Sequence, residues 1–279
     1  LKLFLILAFF VGTTFYETAL GEEAVVSPNP PTPIYRATAS YPQISAESFV
    51  VFDALTGEII TAVNGDEVRP IASITKLFSA AAALQSGLGD ESVTIMTSDV
   101  AALGRAGRLS VGESYTAYEL IFPLLLESSN DAAAALERSS ANSLVTDTQS
   151  LISHLGGDKT QVVDASGLSP LNVSSAAELA LLTSSLFKSY PHLFDITQLS
   201  RRVGEHVVWT NNSPVRDQSY RGGKHGYTEA ANRTLVAVFL ETLKSGHSKS
   251  IGYVLLGSDD LALDTEKLRH FVNTAVTFE

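Results

Sequence analysis

The chain has 279 residues, 45% hydrophobic and 18% charged, with 19 Lys+Arg against 30 Asp+Glu for a formal charge of −11, and no Cys. That apolar fraction excludes a disordered or collagen-like chain, and the missing cysteines exclude a disulfide-stapled one. So acidic a balance lacks the basic face that a phosphate-tracking nucleic-acid binder needs, so no nucleic-acid partner is expected.

Residues 3–12 form an unbroken apolar run behind Lys2, shorter than the ~20 residues of a spanning helix. With the small residues Ala19 and Gly21 beyond it, the segment 1–21 reads as a signal peptide or N-terminal anchor, which implies an extracytoplasmic protein. Pro28, Pro30, Pro31 and Pro33 mark 22–46 as an extended linker. Folding is predicted to start near Glu47 and to give one domain, 47–279, with an inserted subdomain.

Ser48–Asp53 and Glu58–Val63 are β-rich runs joined by Ala-Leu-Thr-Gly and read as a hairpin. From Ser73 the pattern turns helical through Lys76 to Leu84, with Gly87 placed as a C-cap. Further helices are predicted over Tyr118–Leu126, Asp131–Arg138, Leu144–His154 and Ser175–Lys188. Strand chemistry returns in Arg202–Trp209, Arg221–Thr228, Arg233–Leu240 and Ile251–Leu256, and a helix over Thr265–Val276 follows. Strands at both ends with helices between imply an α+β fold: one antiparallel sheet flanked by helices, with an inserted, mainly helical subdomain.

The sequence has no G-x-S-x-G elbow, Walker loop or G-x-G-x-x-G. Its six His never reach a tight ligand spacing, and with no Cys a metal site is not expected. Three short motifs stand out instead. Ser73-Ile-Thr-Lys76 puts a hydroxyl and an amine on one helical face, and a neutral amine can take the proton that makes serine a nucleophile. By itself this spacing fits an N-cap Ser and a surface Lys equally well. Ser128-Ser-Asn130 lies in a break between two helical runs; the bland alternative is again an N-cap. Lys224-His225-Gly226 follows two glycines in a late strand, where small residues let a ligand backbone approach.

Together, and in this order, the three motifs resemble those of the serine-type D-alanyl-D-alanine carboxypeptidases, the low-molecular-mass penicillin-binding proteins with a β-lactamase/transpeptidase-like fold. Phe49-Val-Val-Phe-Asp-Ala-Leu-Thr-Gly-Glu58, Leu109-Ser-Val-Gly-Glu113 and Ser166-Gly-Leu168 extend the resemblance over about residues 47–276. It implies an acyl-enzyme hydrolase that removes the terminal D-alanine of peptidoglycan stem peptides without a cofactor and is inhibited by β-lactams. Ser73 would be the nucleophile, Lys76 its base and Ser128 a proton relay. Asn130, Lys224, His225, Gly226 and Tyr227 would bind substrate, with the oxyanion between the N–H groups of Ser73 and Tyr227.

Two positions depart from the family pattern. His225 stands where the family has a Thr, and Leu261 falls where an Arg usually serves the substrate's terminal carboxylate. A protonated His225, titrating near its ordinary ~6.5, would replace part of that contact. Three alternatives stay open: a D,D-endopeptidase acting on crosslinks, a class A-like β-lactamase, and a penicillin-binding domain without turnover. The β-lactamase reading lacks the deacylating Glu with its following Asn between Asp131 and Lys224.

Overall fold

The structure, a computed structural model, describes residues 35–101, 103–104 and 106–279. The segment 1–21 and most of the Pro-rich stretch lie outside the described residues. β1 Tyr35–Ala37, β2 Ser48–Asp53, β3 Ile59–Val63 and β4 Val68–Pro70 precede α1, Thr75–Gln85. β5 Ser92–Thr94 and β6 Ser114–Thr116 lead into α2 Ala117–Leu126, α3 Asn130–Ser139 and α4 Leu144–His154. Then come β7 Val173–Ser175, α5 Ala176–Ser189, α6 Pro191–Gln198, β8 Arg201–Val203 and β9 Val208–Thr210. β10 Tyr220–Thr228, β11 Asn232–Thr242, β12 Ser248–Ser258, α7 Leu261–Ala275 and β13 Val276–Phe278 follow.

The main sheet has the order β10-β11-β12-β2-β3 with every neighbouring pair antiparallel. The early hairpin thus completes a sheet built from the late strands, and the helices between them form the insertion that the sequence predicts. Because side chains alternate along a strand, each central strand serves two cores. Val50, Phe52, Val236, Val238, Val254 and Leu256 face the helical insertion. Phe49, Val51, Leu235, Phe239, Tyr253 and Leu255 face α7. Each such fully buried side chain contributes about 1.5–3 kcal/mol.

The helices start where the sequence supplies caps. Thr116 and Glu119 form a capping box at α2, and Ser129, Ser175 and Asp260 cap α3, α5 and α7. Three expectations need correction. The folded unit begins before Glu47: Tyr35–Ala37 pairs with Val276–Phe278, and Asp264 accepts hydrogen bonds from Ser45 N–H and Oγ and from Ala46 N–H. These partners lie at the far end of the chain, so local composition carries no trace of them. Arg202–Trp209 is two strands, because Gly204 turns the chain and abuts the Trp209 ring, where a Cβ would sit 2.8 Å from it. Helix α6 escapes the sequence reading altogether; Pro191 opens it at a first-turn position that suits proline.

Candidate active site

Ser73 sits in a 3₁₀ turn, Ala72–Ile74, at the entrance to α1. Neighbouring elements pin that turn. Thr234 Oγ1 on β11 donates to Ile71 O at 2.9 Å, Ile71 N–H donates to Asn172 O at 3.0 Å, and Thr75 Oγ1 donates to Ala72 O at 2.8 Å. Ala72 is held at φ +48°, a left-handed conformation that an L-residue keeps only when its surroundings impose it. The Ser73 N–H makes no backbone hydrogen bond among the described residues, as expected at a helix start.

Lys76 is fully buried, with Nζ 2.9 Å from Ser73 Oγ, 2.8 Å from Asn130 Oδ1 and 2.5 Å from Ser166 O. Burial, reinforced by the positive charge of Lys224 and only partly opposed by Asp164, pushes its pKa well below the ordinary lysine value. A neutral amine has two N–H donors and one lone pair. Asn130 Oδ1 and Ser166 O take the two donors, which leaves the lone pair for the Ser73 hydroxyl.

The loop presenting Ser166 is organised by Asp164. Its carboxylate accepts from Ser166 Oγ and from the N–H groups of Ser166, Gly167 and Ser169 at 2.6–2.8 Å. Burial alone would raise Asp164, but these bonds outweigh it and hold the carboxyl below the usual range. Gly167 lets this loop pass the nucleophile: a Cβ there would lie 2.0 Å from Ala72 O. The sequence reading quotes Ser166-Gly-Leu168 but gives none of these residues a role.

Asn130 lies at the start of α3 and also donates through Nδ2 to Leu103 O at 2.6 Å, tying the lysine to the loop before Arg108. Ser128 is half-buried between α2 and α3 at φ +59°, and its hydroxyl has no hydrogen-bond partner among the described residues. Ser73, Lys76 and Asn130 are therefore joined by direct hydrogen bonds, whereas Ser128 is not bonded to them.

On β10 the register decides which residues meet. Lys224 opposes Val236 and so faces the helical insertion; His225 opposes Leu235 and faces the α7 side. Lys224 is 2% exposed, donates to His225 O at 2.6 Å, and burial lowers its pKa to about 7. Burial, then the charges of Lys224 and Lys76, push His225 down to about 3. Its imidazole is neutral at pH 6, which corrects the expectation of a protonated His225. Gly226 brings the strand against the nucleophile's turn, since a Cβ there would lie 2.5 Å from Ser73 N. The Gly223 N–H points off the sheet edge to Thr197 Oγ1 at 3.0 Å, and two-residue alternation puts the Tyr227 N–H on the same free edge.

A cavity of about 450 Å³ adjoins this edge, lined by His225, Gly226, Tyr227, Arg233 and Leu261 among others. The guanidinium of Arg233 lies 5.6 Å from the Tyr227 ring centroid, donates to Asp259 O at 3.1 Å and has no ion pair among the described residues. Arg233 thus places a cation on the strand beside Lys224, a position the sequence reading does not single out. A second cavity, of about 300 Å³, opens past Asn130 and Ser166 and is walled by Ala133, Val163 and Glu137.

A buried lysine beside a serine at a helix start, facing a free sheet edge, is the arrangement of a serine activated for acyl transfer. The same fold occurs in the D-alanyl-D-alanine carboxypeptidase of Mycobacterium tuberculosis H37Rv, with a TM-score of 0.76 and 23% identity over 84% of this chain and 93% of that one. The D-alanyl-D-alanine endopeptidase of Escherichia coli K12 is 30% identical over 71% of this chain and 68% of its own length. The carboxypeptidase DacA of the same organism is 28% identical over 70% of this chain, which spans about half of that relative (53%). The S11 peptidase family, described as D-alanyl-D-alanine carboxypeptidase, matches residues 35–258. This chain belongs to that family and is a serine-peptidase hydrolase.

Proposed function

We propose that the chain is an extracytoplasmic D,D-peptidase that cleaves the D-alanyl-D-alanine end of stem peptides through an acyl-enzyme on Ser73. The single observation that carries the reading is the Lys76 amine, 2.9 Å from Ser73 Oγ, with both its donors engaged elsewhere. Ser73 Oγ attacks the penultimate carbonyl carbon while its proton passes to Lys76 Nζ. The oxyanion is held by the N–H groups of Ser73 and Tyr227. The proton then reaches the departing amine by way of Ser128, the C–N bond breaks, and D-alanine leaves. Water attacks the ester in turn and restores Ser73. Asn130 and Lys224 hold the substrate from the helical side, and residues 1–21 direct export.

The terminal carboxylate belongs to the leaving residue. The cavity beyond Asn130 is lined by Glu137 and Asp164 and by no cation, whereas the cavity beside Tyr227 holds Arg233, without a carboxylate partner among the described residues, next to Asp259 and Asp260. The leaving group therefore points toward Arg233, where the neutral His225 adds one N–H donor at most. Losing a charge-assisted hydrogen bond of ~1.5–3 kcal/mol should cut kcat/KM of Arg233→Ala on a linear pentapeptide about 10–100-fold. The preference for a free C-terminal carboxylate over its amide should fall with it. Equal losses on both substrates would remove Arg233 from this role.

The decisive experiment reacts the protein with a fluorescent penicillin, maps the adduct by peptide mass and follows D-alanine release from the linear pentapeptide. An adduct on the peptide carrying Ser73 together with D-alanine release is the expected result. An adduct on another residue would end the proposal, and an adduct on Ser73 without D-alanine release would overturn the carboxypeptidase reading in favour of a D,D-endopeptidase acting on crosslinks or a penicillin-binding domain without turnover.

A further inference from the structure

One side chain outside the three motifs touches both the turn that carries Ser73 and the loop that receives Lys76. Asn172, directly before β7, is fully buried between them. Its Oδ1 accepts from Val163 N–H at 2.9 Å and from Asp164 N–H at 3.2 Å. Its Nδ2 donates to Asp164 O at 2.8 Å and to Thr75 Oγ1 at 3.1 Å. A carboxamide has two acceptor positions and two N–H donors, so its whole capacity is engaged. Backbone N–H groups can only donate, which fixes the amide with Oδ1 toward Val163 and Asp164 and with Nδ2 toward Thr75.

The bonds then run outward from Asn172 in two directions. Thr75 Oγ1 accepts from Nδ2 and spends its own proton on Ala72 O at 2.8 Å, the left-handed residue directly before Ser73. The Asn172 carbonyl accepts from Ile71 N–H at 3.0 Å, on the other side of Ala72. On the loop side, Asp164 is gripped at both of its backbone polar groups, and its carboxylate folds the segment that sets Ser166 O 2.5 Å from Lys76 Nζ. Ser73 Oγ and Lys76 Nζ are thus the two ends of one path that closes through Asn172. Ser79 Oγ on α1 also donates to Ala165 O at 2.9 Å, so the loop keeps a tie to α1 when the amide is removed.

We propose that Asn172 is a positioning residue for acyl transfer: it registers the turn that carries Ser73 against the loop that carries Ser166 O, and so holds the Ser73 hydroxyl in line with the Lys76 lone pair. The inference rests on the Ser73 chemistry proposed above. Asn172 touches neither the substrate nor the reacting atoms, and no proton passes through it. The residue type follows from its bonds. Aspartate would lack both donors, and glutamine would carry the amide one carbon too far.

The test follows penicillin acylation against pH, with a melting curve beside it, for Asn172→Ala, Thr75→Val, Thr75→Ser and the double variant Asn172→Ala/Thr75→Val. Misplacing reacting groups by about 1 Å costs about 10²-fold, so Asn172→Ala should acylate about 10–100-fold more slowly than wild type. Thr75→Val trades the hydroxyl for a methyl group and should lose about tenfold, most of which Thr75→Ser should recover. Losses along one path do not multiply, so the double variant should lie no more than about threefold below Asn172→Ala. A loosened loop also lets water reach Lys76, whose burial is the main cause of its lowered pKa, while Lys224 and Asp164, the charges that act on it, stay in place. The acid limb of Asn172→Ala should therefore move to higher pH, which lost stability alone does not produce. Acylation near the wild-type rate in folded Asn172→Ala, an unmoved acid limb, or losses that multiply in full would each overturn the inference. If Asn172→Ala does not fold, the Thr75 pair decides: Thr75→Val as fast as wild type, or Thr75→Ser as slow as Thr75→Val, overturns it. Wild-type protein that forms no adduct on Ser73 would end the Ser73 reading instead, and the inference with it.

Discussion

Replacing Lys76 by Met should lower penicillin acylation about 10³-fold, within the range that removal of a positioned general base produces. Methionine fills the volume of the lysine stem with no charge to bury, so the fold should be retained. The loss then reports chemistry, because Asn130 Oδ1 and Ser166 O keep their places while the lone pair facing Ser73 disappears. The sign of the pH dependence follows from the two lysines. Lys76 must be neutral to act, so the rate rises with pH on the acid side, and its lowered pKa brings that limb far below the ordinary lysine value. Lys224 binds as a cation and titrates at about 7, so the rate falls again above that pH. Arginine stays charged beyond pH ~12, so Lys224→Arg should retain measurable activity and lose the alkaline limb. A Lys76→Met protein with more than a tenth of wild-type acylation, or an alkaline limb that persists in Lys224→Arg, would contradict this assignment.

Gly226→Ala should reduce acylation by about 10²-fold, comparable to removing one oxyanion donor. The backbone of Gly226 is not in the left-handed region, so alanine suits its conformation. The obstacle is space: the new Cβ would stand 2.5 Å from Ser73 N and 2.9 Å from both Ala72 Cβ and Thr234 Oγ1. The turn holding Ser73 is itself tied to β11 through Thr234 and Ile71, so β10 must back away from it. The two N–H groups that receive the oxyanion then move apart. Overpacking of this kind costs about 1–3 kcal/mol of stability, which a melting curve registers separately from acylation kinetics. Acylation within threefold of wild type would mean that the close approach of strand and turn is not needed.

Much of the architecture is legible from alternation and capping alone. The central strands carry apolar residues on both faces, and Thr116, Ser129 and Ser175 announce their helices. What fails to read are pairings between distant segments. Tyr35–Ala37 means nothing until Val276–Phe278 lies beside it, and three residues make no periodicity. The three motifs locate the cleft, yet the motif residues do not explain its electrostatics. Ser166 O, which takes one Lys76 donor, is a backbone atom 90 positions away and leaves no mark on side-chain identity. Arg233 stands far from the position before the last helix, and only the strand register sets it opposite Tyr227. For His225 the neighbouring Lys224 is legible in sequence, but the burial that lowers it most and the charge of Lys76, 149 positions earlier, are not.

The sheet order also fixes when during synthesis the site comes into being. Val50 on β2 finds its partner Val254 on β12 only after nearly the whole domain has been made. At ~5–20 residues per second that interval is about 10–40 s. Ser73, Lys76, Ser128 and Asn130 all emerge long before the strand that joins the early hairpin to β11 exists. A chain interrupted before Ser248 carries each of these residues and Lys224 as well, yet has no central strand to hold them in one cleft. A cleft able to hold Ser73, Lys76, Asn130 and Lys224 together therefore assembles only once Ser248–Ser258 has joined the sheet, so completion of the site follows β12 rather than synthesis of the motifs.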